Sequence, residues 1–246
     1  AELISDLFVS KILPNSSYSI EDFAVDAKEN EITLELLKSQ SSNSILIYGA
    51  PGTGKTEYAK TLARHLNKEL YFIAQKDEDG EESLDHRKRA LVASQNILRS
   101  KNAIVVVDEC DSILNTRDYM SAKADTKAWI NDYLENVQTK TLWITNRISG
   151  IDESTKRRFA YIQEFKKHGP KQRIKALTNH LNGNFEDSIF TVEELGKVAK
   201  KYDVNVGTIG LTIKEARSMT EISYEKRKEI LEGTLDRHQK FLMSQH

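Results

Sequence analysis

Apolar and polar residues follow two different patterns in the first two thirds of the chain. Short apolar runs rich in β-branched residues are bounded by polar residues, and the strongest are Ser44–Ala50 and Asn102–Glu109. Such runs are typical of strands that are buried on both faces of a parallel sheet. Weaker runs of the same kind are Glu69–Gln75, Thr141–Asn146 and Ala160–Phe165. The pattern therefore predicts five strands.

Helical periodicity fills the stretches between these runs. Apolar residues recur three or four positions apart in Lys55–Leu66, Leu84–Leu98 and Asp125–Glu135, which is the spacing of one helix face. Because predicted strands and helices alternate, we expect an α/β fold in which helices flank a parallel five-stranded sheet.

The last third of the chain has helical patterns only. They lie in four stretches: Lys171–Leu181, Thr191–Tyr202, Gly207–Met219 and Ser223–Met243. Thr191 and Glu194 have the spacing of a capping box, which marks the start of the second stretch. We therefore predict two domains, an α/β domain over residues 1–167 and a smaller all-helical domain over residues 168–246.

Composition and charge exclude several classes of protein. Of the 246 residues, 39% are hydrophobic and 30% are charged, which is typical of a globular protein rather than a disordered or fibrous one. The net charge of -1 favours neither nucleic acid nor a membrane as the partner. No apolar run approaches the roughly 20 residues that a membrane helix needs.

The cysteine count and the start of the chain lead to expectations about location and completeness. The single cysteine, Cys110, excludes an intrachain disulfide and is typical of a reducing compartment. The first residues have no basic segment of the kind that begins a signal peptide, so we expect a cytoplasmic protein. Because the chain begins at Ala1 rather than at a methionine, we expect it to be a fragment of a longer protein.

A phosphate-binding motif lies directly after the first strong strand. Gly49–Thr56 reads GAPGTGKT and fits the P-loop pattern G-x-x-x-x-G-K-[ST] between a predicted strand and a predicted helix. Glycines let backbone N–H groups converge on phosphates, and the helix N-terminus adds a favourable dipole. We predict that Lys55 contacts the outer phosphates of a nucleotide and that the Thr56 hydroxyl ligates Mg²⁺. The predicted nucleotide-binding residues of this segment are Ala50, Pro51, Gly52, Thr53, Gly54, Lys55, Thr56 and Glu57.

The second strong strand ends in two carboxylates, Asp108 and Glu109. Open α/β sheets bind their ligands at the carboxyl ends of the strands, so both residues are expected beside the phosphate-binding motif. There Asp108 would hold Mg²⁺ and Glu109 would act as the general base that activates water. Asp111 is expected to be a helix cap or a solvated charge.

Together these features resemble the AAA+ ATPases. The chain has, in that family's order, the loop GAPGTGKT, the strand end VVVDECD, the strand WITN and the arginine pair of KRRF, followed by a helical segment. The resemblance implies a P-loop NTPase domain with a small helical lid domain. It is closest to bacterial AAA ATPases that carry this module at the C-terminal end of longer proteins, with an acidic stretch, here Asp77–Gly80, and a KAWIN stretch, here Lys127–Asn131.

The resemblance also assigns residues that the phosphate motif does not contain. Asn146, at the end of WITN, corresponds to the family's polar sensor near the γ-phosphate. Arg157 and Arg158 correspond to the arginine finger, which stabilises transition-state charge in a neighbouring subunit, and the sequence does not choose between them. The resemblance therefore implies a homo-oligomer, either a ring, commonly of six subunits, or a helical assembly.

The chain departs from the family pattern in two places. The predicted helix Gly207–Met219 has no arginine in its first turn, where many members carry one, and Gly207 and Thr208 are instead expected to approach the ribose or adenine. The loop Gln75–Ser83 is acidic and lacks the aromatic residue with which protein-threading members grip their substrate. That loop is either a solvated connection or a contact surface for a basic partner or for further domains of the protein.

We therefore expect an oligomeric, Mg²⁺-dependent ATPase that couples hydrolysis to the remodelling of a macromolecule. A protein partner is favoured over nucleic acid, because the acidic loop would repel phosphates. Two alternatives stay open at this point. One is a nucleotide-dependent assembly switch or scaffold with slow turnover, and the other is a nucleic-acid-remodelling ATPase.

Overall fold

The computed structural model describes residues 7–16, 18–76, 83–116, 121–180, 191–204 and 206–243. The strands are β1 Val9–Ile12, β2 Asn43–Gly49, β3 Glu69–Ile73, β4 Ala103–Val107, β5 Lys140–Thr145 and β6 Tyr161–Phe165. The helices are α1 Ala27–Lys38, α2 Lys55–His65, α3 Leu84–Leu98, α4 Asp111–Leu114, α5 Ser121–Glu135, α6 Glu153–Lys156, α7 Pro170–His180, α8 Val192–Lys201, α9 Val206–Ser218 and α10 Tyr224–Met243. A 3-10 helix, Ile20–Asp22, precedes α1.

The strands form one six-stranded sheet in the order β1-β3-β4-β5-β2-β6. All neighbouring strands are parallel except β1, which pairs antiparallel with β3. Every residue of β4 is buried, because this strand has neighbours on both sides and is covered on both faces. Burial on both faces explains why the sequence of β4 is a continuous apolar run. The predicted P-loop-type α/β sheet flanked by helices and followed by a helical part is confirmed.

The strand count differs from the predicted five because β1 adds an edge strand. β1 has only four residues, and its two middle residues, Ser10 and Lys11, are exposed. So short a segment has no clear apolar run or alternation, and its pairing with β3 comes from the folded sheet. Lys11 forms an ion pair with Glu69 of β3, and a lysine on an edge strand opposes the addition of further strands.

Helix α1 is also absent from the predicted elements. Glu29 accepts a hydrogen bond from the backbone N–H of Asp26 at 3.4 Å, which is half of a capping box at the start of the helix. Further along α1, the Thr33 hydroxyl donates to Oε1 of Gln163 in β6 at 2.8 Å in a buried position. The Asp26–Glu29 spacing is the signal in the sequence that could have identified this helix.

The chain divides into two compact units. The first comprises Ala1–Ser16, Val25–Pro51 and Lys55–Phe165 and contains the sheet. The second comprises Ser17–Ala24, Gly52–Gly54 and Lys166–His246 and contains α7 to α10. The assignment of domains over residues 1–167 and 168–246 stays a prediction.

The second unit has an apolar core of its own. Leu177 of α7, Leu195 of α8, Ile213 of α9 and Leu231 of α10 are buried together in it. The buried guanidinium of Arg173 in α7 joins that helix to α8 and to the residues after it, because it donates to the Ala199 carbonyl at 3.0 Å and to Asp203 at 2.7 Å. Among the described helices of both units, none is long and apolar enough to cross a membrane.

Candidate functional site

Three chain segments emerge together at one edge of the sheet. β2 and β5 are parallel with Tyr48 opposite Thr145, and β4 and β5 are parallel with Val107 opposite Trp143. The residues that follow these strands therefore lie side by side. They are the phosphate loop, Gly49–Thr56, the acidic turn, Asp108–Cys110, and Asn146.

The phosphate loop takes a path that side chains would obstruct. A Cβ added to Gly49 would overlap the carbonyl oxygen of Phe165 in β6 and lie 2.9 Å from the Phe165 Cβ. Gly54 has a φ of +91°, a region that residues with side chains rarely adopt. The residue types of the motif therefore suit the loop conformation, and helix α2 begins directly after it at Lys55.

Lys55 is buried and lies among oxygen atoms. Its Nζ donates to the carbonyls of Gly49 and Ala50 at 2.8 and 2.9 Å and to Oδ1 of Asn146 at 3.0 Å. Burial lowers the pKa of Lys55 below its ordinary value, and the carboxylates of Asp108 and Asp111 oppose that shift. The lysine therefore links the phosphate loop to the predicted sensor residue at the end of β5.

Thr56 and Asp108 form the second link. The Thr56 hydroxyl donates to Oδ2 of Asp108 at 2.8 Å, so the two residues predicted to hold Mg²⁺ are direct neighbours. Hydroxyl and carboxylate oxygens are the hard donors that Mg²⁺ prefers, and this ion is usually bound by few protein ligands together with phosphates. The residues present therefore fit a magnesium ion.

The acidic turn has an unusual backbone at Glu109. The φ of this residue is +48°, and the left-handed conformation costs a residue with a Cβ about 1–2 kcal/mol. Contacts on both sides hold the turn. The Glu109 N–H donates to Oδ1 of Asp108 at 2.9 Å, and both the N–H and the Sγ of buried Cys110 donate to the Ile144 carbonyl. The Glu109 side chain is exposed at the sheet edge.

Arg87 of α3 also holds this turn, and the sequence analysis did not identify it. Its Nη1 donates to the Glu109 carbonyl at 2.8 Å, and its Nη2 donates to the Asp108 carbonyl at 2.6 Å. Helical spacing places Arg87 on the buried face with Ala90 and Leu91, whereas the nearby Arg89 is exposed, and that spacing is the signal that could have singled out Arg87. The contact depends on how α3 lies against the sheet.

Asp111 has a more defined place than a solvated charge. Its Oδ1 accepts hydrogen bonds from the Thr145 hydroxyl at 2.8 Å and from the backbone N–H of Asn146 at 3.2 Å. The carboxylate thereby fixes the end of β5 at the residue that contacts Lys55. Asp111, Asn146, Arg147 and Pro51 are among the residues that line a groove of about 510 Å³ beside this point.

The two candidate finger residues differ in their surroundings. Arg158 is bound within its own chain, because its Nε donates to Glu135 at 2.7 Å and its Nη1 donates to the Ser154 carbonyl. Arg157 is exposed. Both follow α6. The N-cap residue of this helix is Asp152, whose side chain accepts from the Ser154 N–H and pairs with Lys127 at 3.0 Å.

Two of the predicted residues lie in the second unit. Gly207 and Thr208 lie in the first turn of α9 in the second unit, and Thr208 accepts from the Thr212 hydroxyl through its carbonyl. Their predicted contact with the nucleotide stays a prediction. Residues 77–82 of the acidic loop lie outside the described residues. Its role as a contact surface therefore stays a prediction.

Residues 45–167 match the ATPase family associated with various cellular activities, abbreviated AAA. The matched segment contains the phosphate loop, the acidic turn, Asn146 and both arginines. A protein of Methanothermobacter marburgensis described as a 26S proteasome regulatory subunit homolog is 29% identical over 179 residues, which cover 70% of this chain and 46% of that protein. A replication factor C small subunit of Pyrobaculum islandicum is 29% identical over 148 residues, covering 58% of this chain and 44% of that protein.

A solved structure of the FIGL-1 AAA domain in complex with ADP has the same fold. It superposes with a TM-score of 0.63 at 17% identity, covering 91% of this chain and 84% of that one. This likeness concerns the fold alone. The chain spans less than half of the length of the curated relatives described above.

Proposed function

The chain belongs to the AAA family of ATPases, and from that premise we propose that it binds and hydrolyses ATP with Mg²⁺ in a homo-oligomer that remodels a protein partner. One observation carries the proposal. The Lys55–Asn146 and Thr56–Asp108 hydrogen bonds, at 3.0 and 2.8 Å, join the ends of three parallel strands around the phosphate loop.

Each residue has a stated part in the proposed reaction. The loop residues 50–57 bind the phosphates through backbone N–H groups, and the Lys55 ammonium donates to the outer phosphates. Thr56 and Asp108 would hold Mg²⁺, which when bound would supply positive charge to neutralise the phosphate oxygens. Glu109 accepts a proton from the attacking water, and Asn146 orients that water.

The contrast between the two arginines supports a choice of the finger. Arg158 is bound to Glu135 and Ser154 of its own chain, whereas Arg157 is exposed and available to a neighbour. We therefore assign Arg157 to the ATP site of the adjacent subunit, where it would stabilise transition-state charge. An assembly follows from this role, because no subunit could complete its own site.

A protein partner is the proposed object of the remodelling. The relative described as a proteasome regulatory subunit homolog favours it, as does a net charge of -1, which gives no electrostatic basis for binding nucleic acid. The replication factor C relative favours the alternative of a nucleic-acid-remodelling ATPase. Stimulation of turnover by DNA with a steep dependence on salt would establish that alternative.

The finer features of the prediction belong to the same proposal. Residues 168–246 would form the lid, with Gly207 and Thr208 near the ribose or adenine. The module would be the C-terminal part of a longer bacterial protein located in the cytoplasm. A nucleotide-dependent assembly switch is the remaining alternative, and it would show ATP-dependent association with very slow turnover.

The variant Glu109→Gln tests the catalytic core of the proposal. It should bind ATP as the parent does and hydrolyse it about 100- to 10,000-fold more slowly, because the general base is lost. Binding is measured with a fluorescent ADP analogue and turnover by phosphate release. The control is Glu193→Gln, the same change at an exposed site in α8. Turnover at the parent rate in Glu109→Gln would refute the assignment.

Mixing two inactive variants tests action between subunits. Arg157→Ala subunits keep Glu109, and Glu109→Gln subunits keep Arg157, so a mixed assembly should regain activity that neither has alone. Restored activity is measured across mixing ratios. Rescue by Arg158→Ala in place of Arg157→Ala would move the finger role to Arg158, and no rescue by either would argue against action in trans.

A further inference from the structure

Arg87 is a buried cation whose hydrogen bonds end on the acidic turn. It lies in the first turn of α3, where its backbone N–H donates to the Ser83 carbonyl at 3.1 Å, and it is 6% exposed. Its two terminal nitrogens donate to the carbonyls of Asp108 and Glu109 at 2.6 and 2.8 Å. Its Nε has no hydrogen-bond partner among the described residues. The two hydrogen bonds of the guanidinium therefore end on two consecutive peptide groups.

These two carbonyls flank the backbone torsions that define the Glu109 conformation. Glu109 has a φ of +48°, which a residue with a Cβ adopts only where its surroundings hold it there. Because one rigid fork binds the carbonyl before and the carbonyl after the Glu109 Cα, it restricts rotation of both peptide planes. The direction in which the Glu109 side chain leaves the turn is thereby restricted.

We propose that Arg87 is a positioning residue that holds Glu109 in the orientation required for water activation. The inference rests on the proposed ATPase function, and it adds a residue of α3 whose guanidinium binds the backbone of the acidic turn. Arg87 acts through the backbone of the acidic turn, so it should govern the rate of the chemical step and leave the binding of nucleotide to the phosphate loop intact.

The chemistry of the contact explains why an arginine is needed. A guanidinium presents parallel N–H donors in a fixed plane and can bind two adjacent carbonyls at once, whereas an ammonium is a point donor on a flexible stem. Lysine at position 87 would keep the positive charge and lose the double contact. Arg87→Lys therefore separates the effect of the positive charge from the effect of the double contact.

The experiment compares Arg87→Met and Arg87→Lys with the same changes at Arg89, which is exposed on the same helix. Arg87→Met should lower kcat about 10- to 100-fold, as the loss of an outer support of a reactive group commonly does, with KM and the affinity for a fluorescent ADP analogue changed less than about threefold. Arg87→Lys should lie between Arg87→Met and the parent. The Arg89 variants should match the parent.

A double-mutant cycle distinguishes positioning from a general structural role. If Arg87 acts by orienting Glu109, then Arg87→Met should hardly change the residual turnover of Glu109→Gln, since the group to be oriented is gone. A fall by the same factor in both backgrounds would overturn the inference, as would a loss of nucleotide affinity equal to the loss of kcat. Thermal unfolding checks that each variant is folded. If Arg87→Met does not fold, the same comparison is made with Arg87→Lys.

The same series separates this inference from the function on which it rests. If Glu109→Gln abolishes turnover and the Arg87 variants turn over at the parent rate, only the positioning role fails. If Glu109→Gln turns over at the parent rate, the general-base assignment fails and the role of Arg87 fails with it.

Discussion

The phosphate loop and the acidic turn meet at the same sheet edge, but different forces hold them in shape. The phosphate loop has glycines at the points where its backbone needs them, at Gly54 with a φ of +91° and at Gly49 against β6. The acidic turn has a glutamate at a φ of +48°. Its conformation is stabilised by Arg87 of α3 and by the Ile144 carbonyl of β5.

This difference explains why the geometry of the loop can be recognised in the sequence and that of the turn cannot. The loop is stabilised by its own residue types, so a motif of eight positions identifies it. The turn is stabilised by residues from other elements, so its two carboxylates alone say little about its geometry. Substitutions of the loop glycines should therefore act through steric overlap, and substitutions around the turn should act through lost long-range hydrogen bonds.

The largest expected effect comes from Gly49→Ala in the loop. The added methyl group would overlap the Phe165 carbonyl and Cβ, so the free energy of unfolding should fall by about 3 kcal/mol, as for an overpacked core. Urea denaturation measures the change. Gly233→Ala is the control, because nothing lies within 4 Å of its added Cβ in α10, and it should raise stability by about 0.5–1 kcal/mol. Equal behaviour of the two variants would refute the steric account.

A smaller effect is expected from Asp111→Ala beside the turn. This change leaves the Thr145 hydroxyl and the Asn146 N–H without their carboxylate acceptor, which should lower the free energy of unfolding by about 1–3 kcal/mol. Because Asn146 is then less well held, turnover should also fall by about tenfold. Phosphate release and urea denaturation measure the two effects.

The matched control for that variant is Asp125→Ala, at an exposed position of α5. It should change stability by no more than about 0.5 kcal/mol. If Asp111→Ala behaves like Asp125→Ala, then Asp111 is a solvated charge, which is one of the two possibilities that the sequence left open, and the turn depends on long-range contacts less than the structure indicates.

The smallest effect concerns Glu194, which combines local and distant contacts in one carboxylate. Hydrogen bonds from Lys228, from the Thr191 N–H and from Tyr224 lower its pKa to about 2. Since the folded pKa lies below that of the unfolded chain, this carboxylate stabilises the fold above about pH 4.5 and loses that contribution as the pH falls toward about 2. Glu194→Gln should therefore destabilise by less than about 1 kcal/mol near neutral pH.

The pH dependence of that difference separates the ionised carboxylate from a packing effect. The gap in urea midpoint between Glu194→Gln and the parent should shrink as the pH is lowered from about 7 toward about 3. Glu193→Gln, which removes an exposed pair with Lys197, is the control. A gap that is independent of pH would refute the role of the ionised carboxylate.

Much of the fold was predictable because it depends on short-range patterns. The helices α2 and α3 and the strand β4 follow from periodicity and apolar runs, and their observed limits lie within two residues of the predicted ones. Strand β1 was not predictable in this way, since four residues with an exposed middle contain too little pattern. Helix α1 could have been predicted from its capping residues. Its contact with β6 through Thr33 and Gln163 could not, because these residues are far apart in the chain.

The sequence by itself determined the phosphate loop, the acidic pair and the family to which they point, because these features consist of neighbouring residues whose side chains and backbone torsions act locally. Only the tertiary structure decided that Arg87 holds the acidic turn, that Asp111 holds the end of β5, and that Arg158 rather than Arg157 is bound within its own chain. Each of these is a hydrogen bond between elements distant in sequence. Such bonds depend on the order of the parallel strands and on the placement of the helices against them.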